Sequence, residues 1–293
     1  MLEMKNVTKT FGGFTALDDL SMTIPRGTVY GLVGPNGAGK STAIRHLTGV
    51  YRPDSGSITM EGQPIYENPA LKERIASIPD EIFYYPSATL EEMHKFYRGM
   101  YPRFDDELYH RLYEVFQLPK NSQIRRFSKG MQKQAAFHLS ICCRPDVLIL
   151  DEPVDGLDPV MRRQVWSLIL SDVAQRGTTV LISSHNLREL EDVCDHVGIM
   201  DHGHMLLEKS LADMQGATHK LQMVGQPPEN LEILHESTSG RLSTYIVRGS
   251  AAAITEAVTA ANPVYFDVLP LSLEEIFIYE LGGVNYEVKN IIL

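Results

Sequence analysis

The sequence predicts an α/β fold: a mostly parallel sheet with helices between its strands, an inserted block of helices, and a small α+β domain after it. Three observations predict it. The apolar runs "TVYGLVG", "DVLILDEP" and "TTVLISSH" are each followed by a segment of helical periodicity. Residues 88–118 are helical in pattern with no strand among them. Near residue 215 the texture changes to strands in succession, and the domains are expected at 1–215 and 216–293.

Along the chain, "MLEMKNVTKTF" and "LDDLSMTIP" alternate in part, as half-buried strands do. "TVYGLVG" is a buried strand, Lys40 to Val50 the helix after it, and "GSITMEG" a further strand. Thr89 and Glu92 form a capping box at the head of the helical block, and "DDELYHRLYEVFQL" is amphipathic. Ser128 to Cys143 is another helix. "DVLILDEP" is a buried strand, and "PVMRRQVWSLILSDVAQ" a helix with proline near its start. "TTVLISSH" is a strand, "NLRELEDVC" a helix, and "VGIMDHGHMLLE" a hairpin turning at Asp201 to Gly203. The last part carries the strands "HKLQMVG", "LEILHES", "LSTYIVRG" and "VYFDVLP" with the helices "AAAITEAVTAA" and "LEEIFIYEL".

At 293 residues the chain can bury one large or two modest cores. Its 43% hydrophobic and 22% charged content is that of an ordinary globular protein. A net charge of −10 excludes a general basic footprint for nucleic acid, so any anion site must be built locally. The N-terminus lacks an apolar h-region, and no apolar run approaches the roughly 18 residues of a membrane span. Neither a signal peptide nor a span is therefore expected, and a partner would have to hold the protein at a membrane. Cys142, Cys143 and Cys194 have no metal-like or pairing pattern and read as buried thiols of a reducing compartment.

The densest chemistry is "GPNGAGKST": Gly34, Pro35, Asn36, Gly37, Ala38, Gly39, Lys40, Ser41 and Thr42. It fits G-x-x-x-x-G-K-[ST] and lies between a strand and a helix, a context that a chance glycine loop lacks. Its glycines let backbone N–H groups curl around phosphate oxygens, Lys40 supplies a cation to the β/γ phosphates, and the Ser41 hydroxyl can ligate Mg²⁺. "VLILDEP" delivers Asp151 and Glu152 to a strand end. Asp151 would act on Mg²⁺ and Glu152 on the attacking water. Alone, such an ending is more often a strand entering a loop. His185 closes another apolar strand, where ligands bind in parallel sheets. Finally, "RRFSKGMQKQAAFHL" puts Ser128 at a helix N-cap with Gly130 and cations beside it. That is either an ordinary capped helix or a second anion site.

The P-loop, "FSKGM", "LILDEP", "DGLD" and "SSH", in that order, resemble the ATPase subunits of ABC transporters over about residues 1–215. The resemblance implies a P-loop NTPase core with an antiparallel β subdomain and a helical subdomain inserted at about 85–145. It implies ATP and Mg²⁺ as ligands and ATP hydrolysis as the activity. "FSKGM" is similar to the signature usually written LSGGQ, which closes on the γ-phosphate held by the P-loop of a second subunit. Ser128 and Gly130 would thus bind the partner's ATP. Phe11 matches the aromatic residue that stacks on adenine, with Phe14 as the fallback. Gly156-Leu157-Asp158 resembles the loop between the two sites, and His185 the switch histidine at the γ-phosphate. The helical block would receive a membrane subunit, which would hold the protein on the cytoplasmic face of the cell membrane.

Two departures stand out. Lys129 and Met131 replace glycine and glutamine of the signature, as in bacterial exporters of peptides and antibiotics. Asp80, in "SIPDE", takes the place of a glutamine near the metal; its carboxylate can ligate Mg²⁺ directly. Residues 83–116 hold ten of the chain's 23 Phe and Tyr residues, and Phe83, Tyr84 and Tyr85 in a loop are the expected docking points for the membrane subunit. The expected function is the ATPase of an exporter of hydrophobic or amphipathic peptides or antibiotics, dimeric with itself or a paralogue. An importer ATPase is one alternative. A soluble ABC-type switch is another, but fewer than about 90 residues separate the P-loop from the signature, without sustained heptads. The C-terminal domain is expected to serve dimer contact or regulation.

Overall fold

Residues 1–276 are described by a computed structural model. The helix expected at "LEEIFIYEL" is covered only over residues 273–276, which are helical; its remainder lies outside the described residues.

The chain opens on an antiparallel pair, β1 (Leu2–Phe11) and β2 (Phe14–Ile24), whose residues Leu2, Met4, Leu20, Met22 and Ile24 are buried. β3 (Val29–Val33) is buried at every position and runs through the glycine loop into α1 (Lys40–Leu47). β4 (Ser55–Met60) and β5 (Gln63–Pro64) complete a first sheet of order β2-β1-β4-β5. This is the antiparallel subdomain. The short α2 (Pro69–Lys72) then leads to β6 (Ile75–Ile78).

The helical block is three α-helices and a 3-10 turn at Ile124–Arg126. α3 (Leu90–Met100) starts on the capping box: the Glu92 amide donates to Thr89 Oγ1, and the Thr89 amide donates to the Glu92 carboxylate. α4 (Asp106–Phe116) is capped by Asp105 and α5 (Lys129–Cys142) by Ser128. The helical stretch at 88–118 is thus broken once. Pro102 disfavours helical backbone at the residue before it, and Tyr101 is extended.

β7 (Val147–Asp151), α6 (Pro159–Arg176), β8 (Thr179–Ser184), α7 (Arg188–Glu191), β9 (His196–Asp201) and β10 (His204–Ser210) follow. α7 is a single turn of four residues where the pattern suggested a longer helix. The second sheet has the order β10-β9-β3-β8-β7-β6, and β9, β3, β8, β7 and β6 are parallel. Between the two sheets lies one core: Leu2, Met4, Met22 and Ile24 from the first meet Tyr30, Leu32, Ile149 and Leu181 of the second and Ala43 and Leu47 of α1. Truncating one such leucine to alanine costs about 2–5 kcal/mol. The order β3-β8-β7 decides the site, because it gathers three C-terminal strand ends in adjacent positions.

The chain forms two compact units, residues 1–185 with 196–208, and residues 186–195 with 209 onward. The second unit therefore begins a few residues before 216 and also takes in the segment of α7. It contains α8 (Leu211–Ala217), β11 (Thr218–Val224), β12 (Glu232–Ser239), β13 (Leu242–Arg248), α9 (Ala251–Ala260) and β14 (Tyr265–Pro270). Its antiparallel sheet, β12-β13-β11-β14, buries Leu221, Met223, Tyr245 and Val247 with Ile254 and Val258 of α9. Within this unit Arg188 pairs with Glu274 at 2.9 Å and the Leu273 amide donates to Glu191 at 3.1 Å. Among the described residues no helix is long and apolar enough to cross a membrane.

Candidate active site

The glycine loop between β3 and α1 is fixed by packing as well as by conformation. A Cβ at Gly34 would collide with the carbonyl oxygen of Met200 on β9, so that position has room for glycine alone. Gly39, the N-cap of α1, is left-handed at φ 103°, and no side chain bonds to the first amides of the helix. Those amides and the helix dipole face the loop. Lys40 is 6% exposed. Its ammonium donates to the carbonyl oxygens of Gly34 at 2.6 Å and Pro35 at 3.3 Å, and lies 3.8 Å from Glu152 Oε1. Burial lowers its pKa, opposed by the carboxylates of Glu152 and Asp151.

Asp151 ends β7, and its buried carboxylate accepts a hydrogen bond from Ser183 of β8. Glu152, one residue on, turns back into the cavity. Its backbone is left-handed at φ 47°, uncommon for a residue with a side chain. The carboxylate meets His185 Nδ1 at 2.9 Å. Burial raises the Glu152 pKa, with His185 and Lys40 pulling it down. A carboxylate so shifted is a stronger base than one in water. The side chain of His185 remains 53% exposed beside it.

One cavity of about 300 Å³ is lined by the loop from Pro35 to Thr42 and by Asp80, Asp151, Glu152, Phe14 and Ala16. A neighbouring cavity, walled by Arg45, Thr48, Val50 and residues 77–81, is also lined by Ser41, Asp80 and Asp151. The three side chains that the sequence points to for a metal are thus the polar walls the two cavities share. They are hard oxygen donors, which fit Mg²⁺. Among the described residues no three His, Cys, Asp or Glu side chains converge by themselves, so any such ion would also need ligand or solvent oxygens.

The structure adds the surroundings of three residues that the sequence singles out. Phe11 does not line the cavity: its ring packs on Tyr51 at 5.4 Å, with the Lys9 ammonium over it, and Phe14, its cross-strand partner, forms the wall. Tyr84 does not share the exposure of its neighbours. Phe83 is 84% and Tyr85 64% exposed, whereas Tyr84 is turned inward and burial pushes its hydroxyl pKa well up. Asp158 has a local task that sequence spacing did not suggest, capping α6 by accepting from the amides of Val160 and Met161. Ser128 and Lys129 are exposed and Gly130 is partly so, and none of the three lines the P-loop cavity. Lys133, buried on α5, was not singled out by the sequence. The sole signal was a cation on the same stripe as the buried Ala136 and Phe137.

Comparisons with known proteins bear on the family and the fold. The family described as ABC transporter matches residues 17–155. The chain is 31% identical over 288 residues to the ABC transporter ATP-binding protein YtrB of Bacillus subtilis, covering 97% of this chain and 99% of that one. It is 34% identical over 220 residues to the linearmycin resistance ATP-binding protein LnrL of the same organism, covering 73% and 70%. It is 31% identical over 297 residues to Nod factor export ATP-binding protein I of Cupriavidus pinatubonensis, covering 96% and 91%. A solved ATP-binding subunit of an ABC transporter superposes with a TM-score of 0.68 at 29% identity, over 73% of this chain and 92% of that one.

Proposed function

The chain belongs to the ATP-binding subunits of ABC transporters, the family that hydrolyses ATP, and from that premise we propose that it drives an exporter of hydrophobic or amphipathic peptides or antibiotics by closing on a second subunit around ATP. The export reading is supported by two relatives, one named for linearmycin resistance and one for Nod factor export. Subunits of this family act with membrane subunits and dimerise, and Phe83 and Tyr85 are the exposed aromatic side chains that suit a membrane partner here.

In this reading Lys40 and the first amides of α1 hold the β and γ phosphates. Ser41, Asp80 and Asp151 would hold Mg²⁺, whose charge offsets that of the phosphates. Glu152 orients the attacking water and takes its proton, and His185, bonded to Glu152, contacts the γ-phosphate. The observation that carries closure on a second subunit is the placing of Gly130. A Cβ there would meet Leu157 at 3.6 Å, an ordinary contact, so this chain's own packing does not demand glycine. The reading is supported by the room that glycine leaves for close approach from outside.

The test uses Lys40→Ala, which removes a phosphate cation, and Ser128→Arg, which fills the space where the partner's γ-phosphate would sit. Each homodimer should be nearly inactive. Mixing them, with subunit exchange, creates one site free of both lesions and should restore ATPase activity. If the signature served its own P-loop, every site would carry a lesion and mixing would restore nothing. A covalently linked wild-type/Lys40→Ala pair controls for obligatory two-site cooperativity. Identifying the integral membrane protein that co-purifies from native membranes tests the exporter assignment.

A further inference from the structure

Lys133 lies on the buried face of α5, with Ala136, Phe137 and Ser140 following at helical spacing. It is 6% exposed. An ammonium in such a place is costly unless it is paired and hydrogen-bonded. Two groups meet it: the carbonyl oxygen of Glu152 at 2.7 Å and Asp80 Oδ1 at 3.8 Å.

The carbonyl is the informative partner. Glu152 is left-handed at φ 47°, a conformation that persists only where its surroundings impose it. Its amide is held from one side, donating to Ser183 Oγ at 3.1 Å. Its carbonyl is held from the other by Lys133. With both main-chain groups fixed, the side chain is directed at His185. The second partner, Asp80, is the carboxylate that departs from the family's glutamine. Asp80, Asp151 and Glu152 line one cavity. The Lys133 ammonium brings a positive charge beside the first of these carboxylates. Lys133 also lies five residues after Ser128, about 7 Å along the axis of the same helix.

We propose that Lys133 is a positioning residue for ATP hydrolysis: one ammonium fixes the main chain of Glu152 and holds the carboxylate of Asp80, so that α5 links the exposed Ser128–Gly130 corner to the general base of its own subunit. The proposal rests on the assignment of Glu152 to the attacking water. A lysine that merely fills the core would affect stability alone. A positioning lysine affects turnover at unchanged nucleotide affinity, and its effect depends on which residue stands at 80.

The experiment is a double-mutant cycle on the full chain, with Lys133→Gln, Asp80→Asn and both. Glutamine is chosen because it is polar, of similar reach and compatible with folding; Lys133→Met is a second, harsher variant. Equilibrium titration with a fluorescent ATP analogue, with and without Mg²⁺, reads affinity, and steady-state assays read kcat. Lys133→Gln should keep the affinity within about twofold while lowering kcat about 10- to 100-fold, the scale of a small misplacement of a catalytic group. In the Asp80→Asn background the same substitution should cost several-fold less, because the carboxylate it leaves unpaired is gone. An unchanged kcat in Lys133→Gln, or losses that simply multiply, would overturn the proposal. Glu152→Gln is assayed in parallel. If it turns over like the wild type, the underlying assignment falls and the proposal with it. If it is slow while the Lys133 and Asp80 losses multiply, the proposal alone falls.

Discussion

Two helix N-termini in this chain are suited to anions, and they are built differently. α1 begins at a left-handed glycine, has no side-chain cap, and carries a buried lysine turned back onto the loop. α5 begins at Ser128, whose hydroxyl accepts from the Met131 amide at 3.3 Å; Ser128 and Lys129 face solvent, and Phe127 before them is buried. At the first end glycine is dictated from within, since Gly34 has β9 against it. At the second, Gly130 has only an ordinary contact to Leu157. The two ends therefore fail in different ways. In the proposed reading, damage to the first abolishes nucleotide binding by the isolated subunit, whereas damage to the second acts on hydrolysis where two subunits meet.

The largest expected effect lies at the first end. Glu152→Gln should bind ATP but turn over about 10²–10⁴-fold more slowly, the usual loss for a general base. It should accumulate as an ATP-bound dimer, measurable by size-exclusion chromatography with light scattering. Turnover at the wild-type rate would remove Glu152 from its role.

A pair of glycine substitutions tests the contrast directly. Gly34→Ala forces a methyl onto the Met200 carbonyl and should lower stability by about 1–3 kcal/mol, as overpacking does, together with loss of ATP binding. Gly130→Ala should melt like the wild type and titrate ATP normally, yet hydrolyse poorly. Thermal melts and nucleotide titrations separate the two. Early melting of Gly130→Ala would break the comparison, since it would place the demand for glycine inside the subunit. Ser128→Ala should be milder in the fold, costing about 1 kcal/mol for a lost cap, read from denaturant unfolding of the isolated chain. Smallest in affinity but distinctive in kind is Asp80→Ala. It should shift the Mg²⁺ dependence of hydrolysis more than it shifts the affinity for ATP. An unchanged Mg²⁺ titration would leave Asp80 a structural loop residue.

Much of the site was legible because its motifs are contiguous. "GPNGAGKST" and "VLILDEP" carry their strand, turn and chemistry in one stretch, and the apolar strands before them are buried along their whole length. What escaped depends on contacts across the chain. Phe11 and Phe14 are cross-strand neighbours, and no local pattern says that Phe14 lines the cavity while Phe11 packs on Tyr51, forty residues on. Phe83, Tyr84 and Tyr85 lie in a loop with no period to sort inward from outward. Lys133 needed three separate segments, α5, the end of β7 and the loop after β6, before its partners could be named. In the second unit the strands were expected from the change of texture near residue 215, whereas the membership of residues 186–195 in that unit was not. That segment is joined to it by Arg188 with Glu274 and by Glu191 with the Leu273 amide, pairs more than eighty residues apart in sequence.

The division of the chain also bears on inheritance. The polypeptide passes from one compact unit to the other three times, after His185, after Asp195 and after Glu208. A domain attached at one point can be lost, or exchanged between genes, by a single recombination event. Here a crossover after residue 208 would part the later segment from residues 186–195, which belong with it and follow the site histidine directly. Exchange of the later segment at that point would have to re-create the pairs that Arg188 and Glu191 make with residues 273 and 274.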